Sequence, residues 1–597
     1  MNNPALQITS PLAAAVISIN VKLGDQVAKG QPLVSLESMK MQTLVTAPED
    51  SVISAVLIAA GDTIQAGQLL FEIEAAGTSS ESTEQEAEEQ PATGNLLTDL
   101  QTQLAYSSDA MRPDAVRRRH KKGYRSAREN LTDLCDKGSF IEYGQLAVAA
   151  QRDRKDAESL KIETPGDGVI TGLATINSAE FGVHLSQVAV IVNDYSVLAG
   201  SQGYFHHKKI DRILDQAGKA NLPVVMYTEG GGGRPGDTDV KTQIAGLDVP
   251  TFARWASLSG QVPLIAVNNG YCFAGNAALF GCADIRIATK TSWIGMAGPA
   301  MIEGGGLGSF EPTDIGPIEV QEKNGVVDYV AENEEEATNI AKQLLSYFQG
   351  SLEEFTVADQ EQLREMMPAD RRYTYEVRNI ISTIADADTF LELRRKYGAS
   401  IVTGFIRIEG RPFALLASDC QKLGGAIDSE SAEKAGEFIS ICSDHKLPIL
   451  VLADTPGFMV GPASEEGGAV RRMSSLLKYG ANLSVPLVAI FLRKGYGLGA
   501  QALVGGSLHN PVYTAAWPTG EFGGMGIEGA VKLGYKKELE EIESEDKRKE
   551  LFDKLVSKMY EVGQAIEAAS FLEIDAVIDP ADTRDVVIKA FNAAESI

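Results

Sequence analysis

Glu37-Ser38-Met39-Lys40-Met41 sets a single lysine between two methionines, at the midpoint of a short internal repeat. Residues 10–37 recur as residues 47–74, an offset of about 37. Pro11 matches Pro48, Gly24-Asp25 matches Gly61-Asp62, Gly30-Gln31 matches Gly67-Gln68, and Glu37 matches Glu74. Each copy holds β-branched runs, residues 16–21 and 52–58, interrupted by Gly-Asp and by Lys-Gly or Ala-Gly turn signals. Two such copies predict a small all-β unit over residues 1–76 with approximate two-fold symmetry, and Lys40 on the turn between the halves. A flexible amine on a rigid tip is a good attachment point for a swinging prosthetic group. A lone lysine on a hairpin is ordinarily just a solvated side chain. The repeat and the methionines on both sides weigh against that reading here.

Outward from this unit the composition changes abruptly. Residues 77–95 are almost wholly Ser, Thr, Glu, Gln and Gly, with little that is apolar, and predict a disordered acidic linker, taken as residues 77–100. A coil of about 20 residues spans on the order of 25 Å, a reach suited to a travelling carrier. From residue 101 onward, apolar strand-like runs (residues 188–192, 223–226, 263–267, 449–453 and 486–492) alternate with amphipathic segments and glycine-rich turns, an α/β pattern. A second repeat runs through this body at a spacing of about 225 residues. Leu222-Pro223-Val224-Val225 corresponds to Leu447-Pro448-Ile449-Leu450. Val262-Pro263-Leu264, leading to Tyr271-Cys272-Phe273-Ala274-Gly275-Asn276-Ala277, corresponds to Val485-Pro486-Leu487, leading to Tyr496-Gly497-Leu498-Gly499-Ala500-Gln501-Ala502. The body therefore reads as two homologous α/β domains, residues 101–360 and 361–597.

Bulk properties narrow the function. A formal charge of −27 over 597 residues argues against nucleic acid or an anionic membrane as a partner, though not against an anionic small ligand in a local basic pocket. The five cysteines are scattered and lack C-x-x-C spacing, which disfavours a disulfide framework and a zinc site. With no charged-then-apolar leader pattern and no apolar run of spanning length, the expectation is a cytoplasmic protein.

The chemistry is expected at the two strand–glycine–helix junctions. Such junctions present backbone N–H groups at a helix start, able to stabilise a developing oxyanion, and one per domain provides two facing holes. Taken singly, each is equally well read as tight helix-on-strand packing. Gly230-Gly231-Gly232-Gly233-Arg234-Pro235-Gly236 lacks the G-K-[ST] ending of a phosphate loop. There is no G-x-S-x-G elbow, no H-E-x-x-H helix, no histidine cluster and no ATP-binding module to read.

At these motifs the chain resembles known families. Residues 1–76 look like the biotinyl domain of biotin-dependent carboxylases, with Lys40 as the biotinylated residue flanked by Met39 and Met41. The body resembles the carboxyltransferase component of acyl-CoA carboxylases, a crotonase-like (ββα superhelix) fold in tandem. The matching stretches include residues 127–142, Pro165-Gly166-Asp167-Gly168-Val169, residues 228–236, Ala274-Gly275-Asn276-Ala277, Gly424-Gly425-Ala426, Asp454-Thr455-Pro456-Gly457-Phe458, residues 493–499 and residues 516–521. The variant looks closest to single-chain multidomain bacterial acyl-CoA carboxylases; Asn276 and Leu498 stand where the more usual subunits carry glycine. The resemblance implies that the Gly275 and Asn276 amides hold the acyl-CoA thioester oxygen. It implies that those of Leu498 and Gly499, or a register shifted to Gly497 or Ala500, polarise the ureido carbonyl of biotin. No side-chain base is then required, because biotin takes the α-proton once CO2 has left. His206 and Lys208 align with a stretch near the CoA, Gly231 and Gly232 with a substrate loop, and Gln501 with a position that influences acyl length. The densest cationic run, Arg117-Arg118-Arg119-His120-Lys121-Lys122, competes as a CoA contact with a solvated face or subunit contact. The implied partners are a biotin carboxylase, a biotin protein ligase, acyl-CoA and further copies of the chain as a hexamer. A decarboxylase or transcarboxylase running the reverse reaction, and a non-catalytic biotinylated scaffold, are the alternatives.

Overall fold

The computed structural model describes residues 6–75, 92–239 and 247–595, and the chain divides into two compact units, Met1–Gly94 and Asn95–Ile597. In the first unit the repeat becomes two four-stranded antiparallel sheets. One has the order β1 (Leu6–Thr9), β8 (Leu69–Ala75), β6 (Ser51–Val56), β3 (Gln26–Val27). The other has the order β5 (Met41–Thr46), β4 (Pro32–Ser38), β2 (Ala14–Ile19), β7 (Thr63–Ile64). Exchanging β1–β4 for β5–β8 turns one sheet into the other, which is the expected two-fold symmetry. The turns repeat too. Lys22 N donates to Asp25 Oδ2 and Ala59 N to Asp62 Oδ2, each at 2.7 Å. Leu33, Val34, Leu36, Ile64, Leu70 and Phe71 fill the space between the sheets and are almost wholly buried.

Of the acidic segment, residues 76–91 lie outside the described residues. From Ala92 the expected linker is instead a helix, Ala92–Ala105. Leu97, Leu100 and Leu104 recur there at the three- and four-residue spacing of a helix face, a pattern the polar composition around it obscured.

The second unit holds two sheets of matching topology. The first runs β15 (Tyr329–Ala331), β14 (Ile285–Gly295), β13 (Leu264–Phe273), β12 (Val224–Tyr227), β11 (Gln187–Asn193), β10 (Val169–Thr175), β9 (Ile141–Tyr143). The second runs β16 (Leu391–Leu393), β17 (Ile401–Ile408), β18 (Arg411–Ser418), β19 (Ile449–Thr455), β20 (Leu487–Tyr496), β21 (Tyr513–Ala516), β23 (Ala576–Val577), with β22 (Glu521–Gly523) added beside β20. Each begins with an antiparallel meander of three strands and continues in parallel. The parallel strands are buried on both faces, which explains their unbroken Val/Ile/Leu/Ala runs. β13 shifts register between Asn268 and Gly270 and then pairs residues 270–273 with 292–295. β20 does the equivalent by pairing its last residues with β22. Both long strands thus carry the chain past the main sheet and deliver it to a junction. The halves share one core, in which Tyr347 stacks on Phe405 at 5.2 Å.

Candidate active site

Lys40 occupies a two-residue hairpin turn. Ser38 pairs with Met41 across it, and Met39 (φ 51°) and Lys40 (φ 65°) both take positive φ, the pattern of a type I′ turn. Such a turn matches the twist of the flanking strands and projects its side chains from the end of the sheet. Met39 is 96% exposed and Met41 72%, so neither methionine is used for packing within the unit. An exposed primary amine on a stiff tip, ringed by apolar side chains, fits covalent attachment of a group such as biotin.

At the first junction, β13 ends at Phe273 and the helix Gly275–Gly281 follows Ala274. Ala274 has φ 51° and ψ −119°, a costly conformation for a residue with a Cβ. It donates to Gly295 O at 3.0 Å and accepts from Ala278 N at 2.9 Å, the helix's first internal bond. The N–H groups of Gly275 and Asn276 therefore lie in the turn for which a helix supplies no acceptor of its own. Gly275 admits no side chain without displacement, since a Cβ would sit 2.1 Å from Gln202 Oε1. The Asn276 side chain turns inward, and its Oδ1 accepts from Gly232 N at 3.0 Å. The residue that replaces the usual glycine thus anchors the glycine loop while leaving its own amide at the junction.

The second junction repeats this geometry. Phe273 pairs with Gly295 and Tyr496 with Gly523, and each is followed by one residue at positive φ, Ala274 and Gly497 (60°). In that register Gly275 corresponds to Leu498 and Asn276 to Gly499. Leu498 is 64% exposed. Gly499 is pressed against the loop after β19: a Cβ would lie 2.6 Å from Gly457 C and 2.7 Å from Phe458 N. That loop is itself tied down. Asp454 Oδ1 accepts from Lys494 N at 3.0 Å, its Oδ2 from Arg493 Nη2 at 2.9 Å, and Ile427 N donates to Gly457 O at 3.0 Å.

The cysteine beside the first junction is not an available nucleophile. Cys272 is buried against Thr228 Oγ1 at 3.7 Å, and burial pushes its thiol up to about 12. Among the described residues no cluster of His, Cys, Asp or Glu is arranged to hold a metal ion, and no helix is long and apolar enough to cross a membrane.

Comparison with known proteins matches residues 118–596 to the carboxyl transferase domain and residues 6–73 to the biotin-requiring enzyme domain. The chain belongs to the carboxyltransferase family. A methylmalonyl-CoA carboxyltransferase 12S subunit from Propionibacterium freudenreichii subsp. shermanii is 31% identical over 489 residues, 80% of this chain and 89% of that one. A propionyl-CoA carboxylase beta chain from Saccharopolyspora erythraea is 31% identical over 85% of this chain and 94% of that one. Among solved structures, a single-chain, multi-domain long-chain acyl-CoA carboxylase superposes with a TM-score of 0.80 at 46% identity, covering 99% of this chain and 56% of that one. This chain therefore spans a little over half the length of that carboxylase. A transcarboxylase 12S structure, described as a hexamer with methylmalonyl-CoA bound, gives 0.72 at 27% identity over 84% of this chain and 95% of that one. The fold is the expected one: a small all-β biotinyl domain and a tandem α/β carboxyltransferase. The protein is an enzyme that pairs a biotin carrier with a carboxyltransferase.

Within this carboxyltransferase the remaining sequence-based site residues separate. His206 is wholly buried; its backbone N donates to Asp167 Oδ2 at 2.7 Å and its Nδ1 lies 3.1 Å from Asp167 O. Lys209 is buried with Nζ on Gly166 O at 2.9 Å, so of this stretch only Lys208 faces solvent, its ammonium over the Tyr204 ring. Gly231 N is engaged by Ala199 O at 3.0 Å and Gly232 N by Asn276, so both amides serve the loop itself. Gln501 is exposed on the second junction's helix. The cationic run also divides. Arg119 turns in to grip Glu229 with both nitrogens (2.8 and 2.7 Å), while Arg117, Arg118, Lys121 and Lys122 stay outside.

Three residues that the sequence reading did not single out are built into the site's support. Glu229, pushed up to about 7 by burial against the pull of Arg119, lies beneath the bulge in β13, where a Cβ on Gly270 would meet its Oε1 at 2.5 Å. Gln202 abuts Gly275 and brackets the glycine loop through Gln202 N to Gly232 O at 2.8 Å. Asp167 joins Arg234 to the start of the helix Tyr204–Ala220. The Pro-Gly-Asp-Gly motif pointed to Asp167's neighbourhood; nothing local in the sequence names its partners.

Proposed function

We propose that this chain transfers CO2 from biotin on Lys40 to the α-carbon of an acyl-CoA. The observation that carries the reading is the pair of equivalent junctions, each offering two adjacent backbone N–H groups where a positive-φ residue turns a strand into a helix. The Gly275 and Asn276 amides would hold the thioester oxygen as it gains charge, and those of Leu498 and Gly499 the ureido oxygen of biotin. Preorganised donors of this kind cost no reorganisation at the moment of reaction. Biotin, when bound, supplies the CO2 and then accepts the substrate's α-proton. The protein's part is positioning and charge stabilisation, which suits a site whose nearest thiol is buried and neutral. The domain division follows: residues 1–76 carry, 77–91 tether, and beyond the helix Ala92–Ala105 residues up to 360 hold the acyl-CoA side and 361–597 the biotin side.

The similarity to carboxylase beta chains and to a long-chain carboxylase supports an acyl-CoA substrate, a biotin carboxylase subunit or domain as partner, and a homo-oligomer like the hexameric 12S protein. The exposed apolar side chains Met296, Leu307, Val460 and Val470 support burial between copies. The 31% identity to a methylmalonyl-CoA carboxyltransferase keeps one second reading: transfer between two acyl carriers without ATP. The test is purified biotinylated chain with acyl-CoA, ATP and bicarbonate, with and without an added biotin carboxylase. Carboxylation should need both the added enzyme and Lys40, so Lys40→Arg should lose the avidin signal and the turnover together. Turnover by the chain alone, or by the Lys40→Arg variant, overturns the reading. Carboxyl transfer out of a carboxyacyl-CoA without ATP, with no carboxylation when ATP, bicarbonate and the biotin carboxylase are supplied, selects the second one.

A further inference from the structure

Gln202 is 3% exposed, and its carboxamide ends at the first junction, where a Cβ on Gly275 would meet its Oε1 at 2.1 Å. The Cα–Cβ bonds of a helix lean toward its N-terminus, the end at which the free N–H groups of the first turn also point. The carboxamide therefore flanks the space that the Gly275 and Asn276 amides face. Its Nε2 is buried and has no hydrogen-bond partner among the described residues. The backbone of Gln202 is fully engaged: its N donates to Gly232 O at 2.8 Å and its O accepts from Arg234 N at 2.9 Å. The residue thus holds the glycine loop with its main chain, and the side chain takes no part in that task.

The second half of the chain shows what this position needs for packing alone. Gln202 bridges to Gly233, and Ile427 bridges to Phe458 in the same parallel sense. Ile427 N donates to Gly457 O at 3.0 Å, as Gln202 N does to Gly232 O, so Ile427 is the counterpart beside the second junction. Ile427 is wholly buried. A hydrocarbon side chain satisfies the fold there, whereas a buried amide without a partner costs stability. We propose that Gln202 is a catalytic residue, whose carboxamide turns its N–H to the thioester oxygen as a third donor beside the Gly275 and Asn276 amides. A half-turn about the last side-chain bond exchanges the two ends of the carboxamide, and the two-fold character of that torsion makes either end available. Only the N–H end suits an oxygen gaining negative charge. The role rests on the proposed transfer to an acyl α-carbon, and it belongs to the acyl side alone, since Ile427 can give biotin no such bond.

The experiment compares the native biotinylated chain with Gln202→Met, which keeps the length without a donor, and Gln202→Glu, which keeps the shape with a charge of the wrong sign. Each is supplied with a biotin carboxylase, ATP and bicarbonate. The kcat and KM for acetyl-, propionyl- and hexadecanoyl-CoA are measured alongside Tm and oligomeric state. With two backbone donors left in place, Gln202→Met should lower kcat by roughly ten- to a hundredfold and leave KM within about threefold, as for an interaction made in the transition state. Its Tm should be unchanged or higher, because an unpaired polar group has left the interior. Gln202→Glu should be slower still at neutral pH. It should regain activity relative to the native chain as pH falls, because the protonated acid again carries a donor. A Gln202→Met variant that keeps the native kcat overturns the proposal and leaves the transfer reading intact. So does one that loses activity only in step with Tm or oligomeric state. No turnover by the native chain with any of these acyl-CoAs overturns the transfer reading, and this role with it.

Discussion

His206 occupies the first turn of the helix Tyr204–Ala220 with its ring closed off from water, and burial holds its imidazole well below the ordinary value. Its Nδ1 faces a backbone carbonyl, which suits the neutral ring with a proton on that nitrogen. As pH falls below about 6.5 the unfolded chain takes up a proton here and the folded chain does not, so stability present above that value is lost. The loss approaches about 1.4 kcal/mol per pH unit while the folded ring stays neutral. His206→Asn keeps a donor for the carbonyl but cannot titrate. Calorimetric Tm values between pH 6.5 and 5 should therefore fall less steeply in the variant; parallel slopes would show that His206 protonates in place. Residues differ in how far the sequence exposes their task. The placement of Lys40 on the turn was legible because it follows from the symmetry of the repeat. Asn276, Gln202 and Glu229 act on partners tens of residues away, and a side chain's identity does not name a distant backbone amide.

Between residues and the whole chain lies the junction, the element to which the proposal assigns the chemistry, and its two copies should tolerate change differently. At Gly275 an added Cβ meets the far end of the Gln202 side chain, which can swing aside; at Gly499 it meets the backbone of Gly457 and Phe458, which cannot. Loss of one oxyanion donor typically lowers the rate about a hundred- to a thousandfold. Gly499→Ala should reach that range by itself, while Gly275→Ala should lose less and Gly275→Val should match it. Malonyl-CoA decarboxylation with free biotin measures this without the carrier, and equal damage from Cys272→Ala would point to side-chain chemistry instead. The elements were readable from sequence where a repeat doubled the signal, in both sheets of the small unit and at both junctions, but the match of Tyr271 to Tyr496 set the junctions two residues out of the structural register, which places Phe273 opposite Tyr496. The sequence did not show that β22 rather than β21 continues the second sheet past the junction, because three residues of strand carry no periodicity. The helix Ala92–Ala105 was hidden by the acidic segment before it.

At the scale of the molecule, the question is whether one chain can complete a site. The helix Gly275–Gly281 packs on β13, β14 and the helix Thr251–Leu258, all from the first half; the helix Gly497–Leu503 packs on β19, β20 and the helix Ala469–Ala481, all from the second. The two junction elements are thus built independently, and in the proposed homo-oligomer the first half of one copy would meet the second half of another. That arrangement has a genetic signature in a symmetric dimer. Gly275→Val disables every site that uses the first half of its chain, and Gly499→Ala every site that uses the second half. If sites form within single chains, a mixture of the two variants holds no intact site and stays inactive. If sites form between chains, a mixed dimer holds one site with both lesions and one with neither. Random pairing makes half of the dimers mixed, so about one quarter of all sites should be intact. The two variants, unfolded together and refolded or co-expressed, should therefore recover roughly a quarter of native decarboxylation activity, while each alone stays near background. Activity that remains at background in a mixture shown to contain mixed dimers would place both junctions of a site in one chain, and the division of labour between copies would have to be given up.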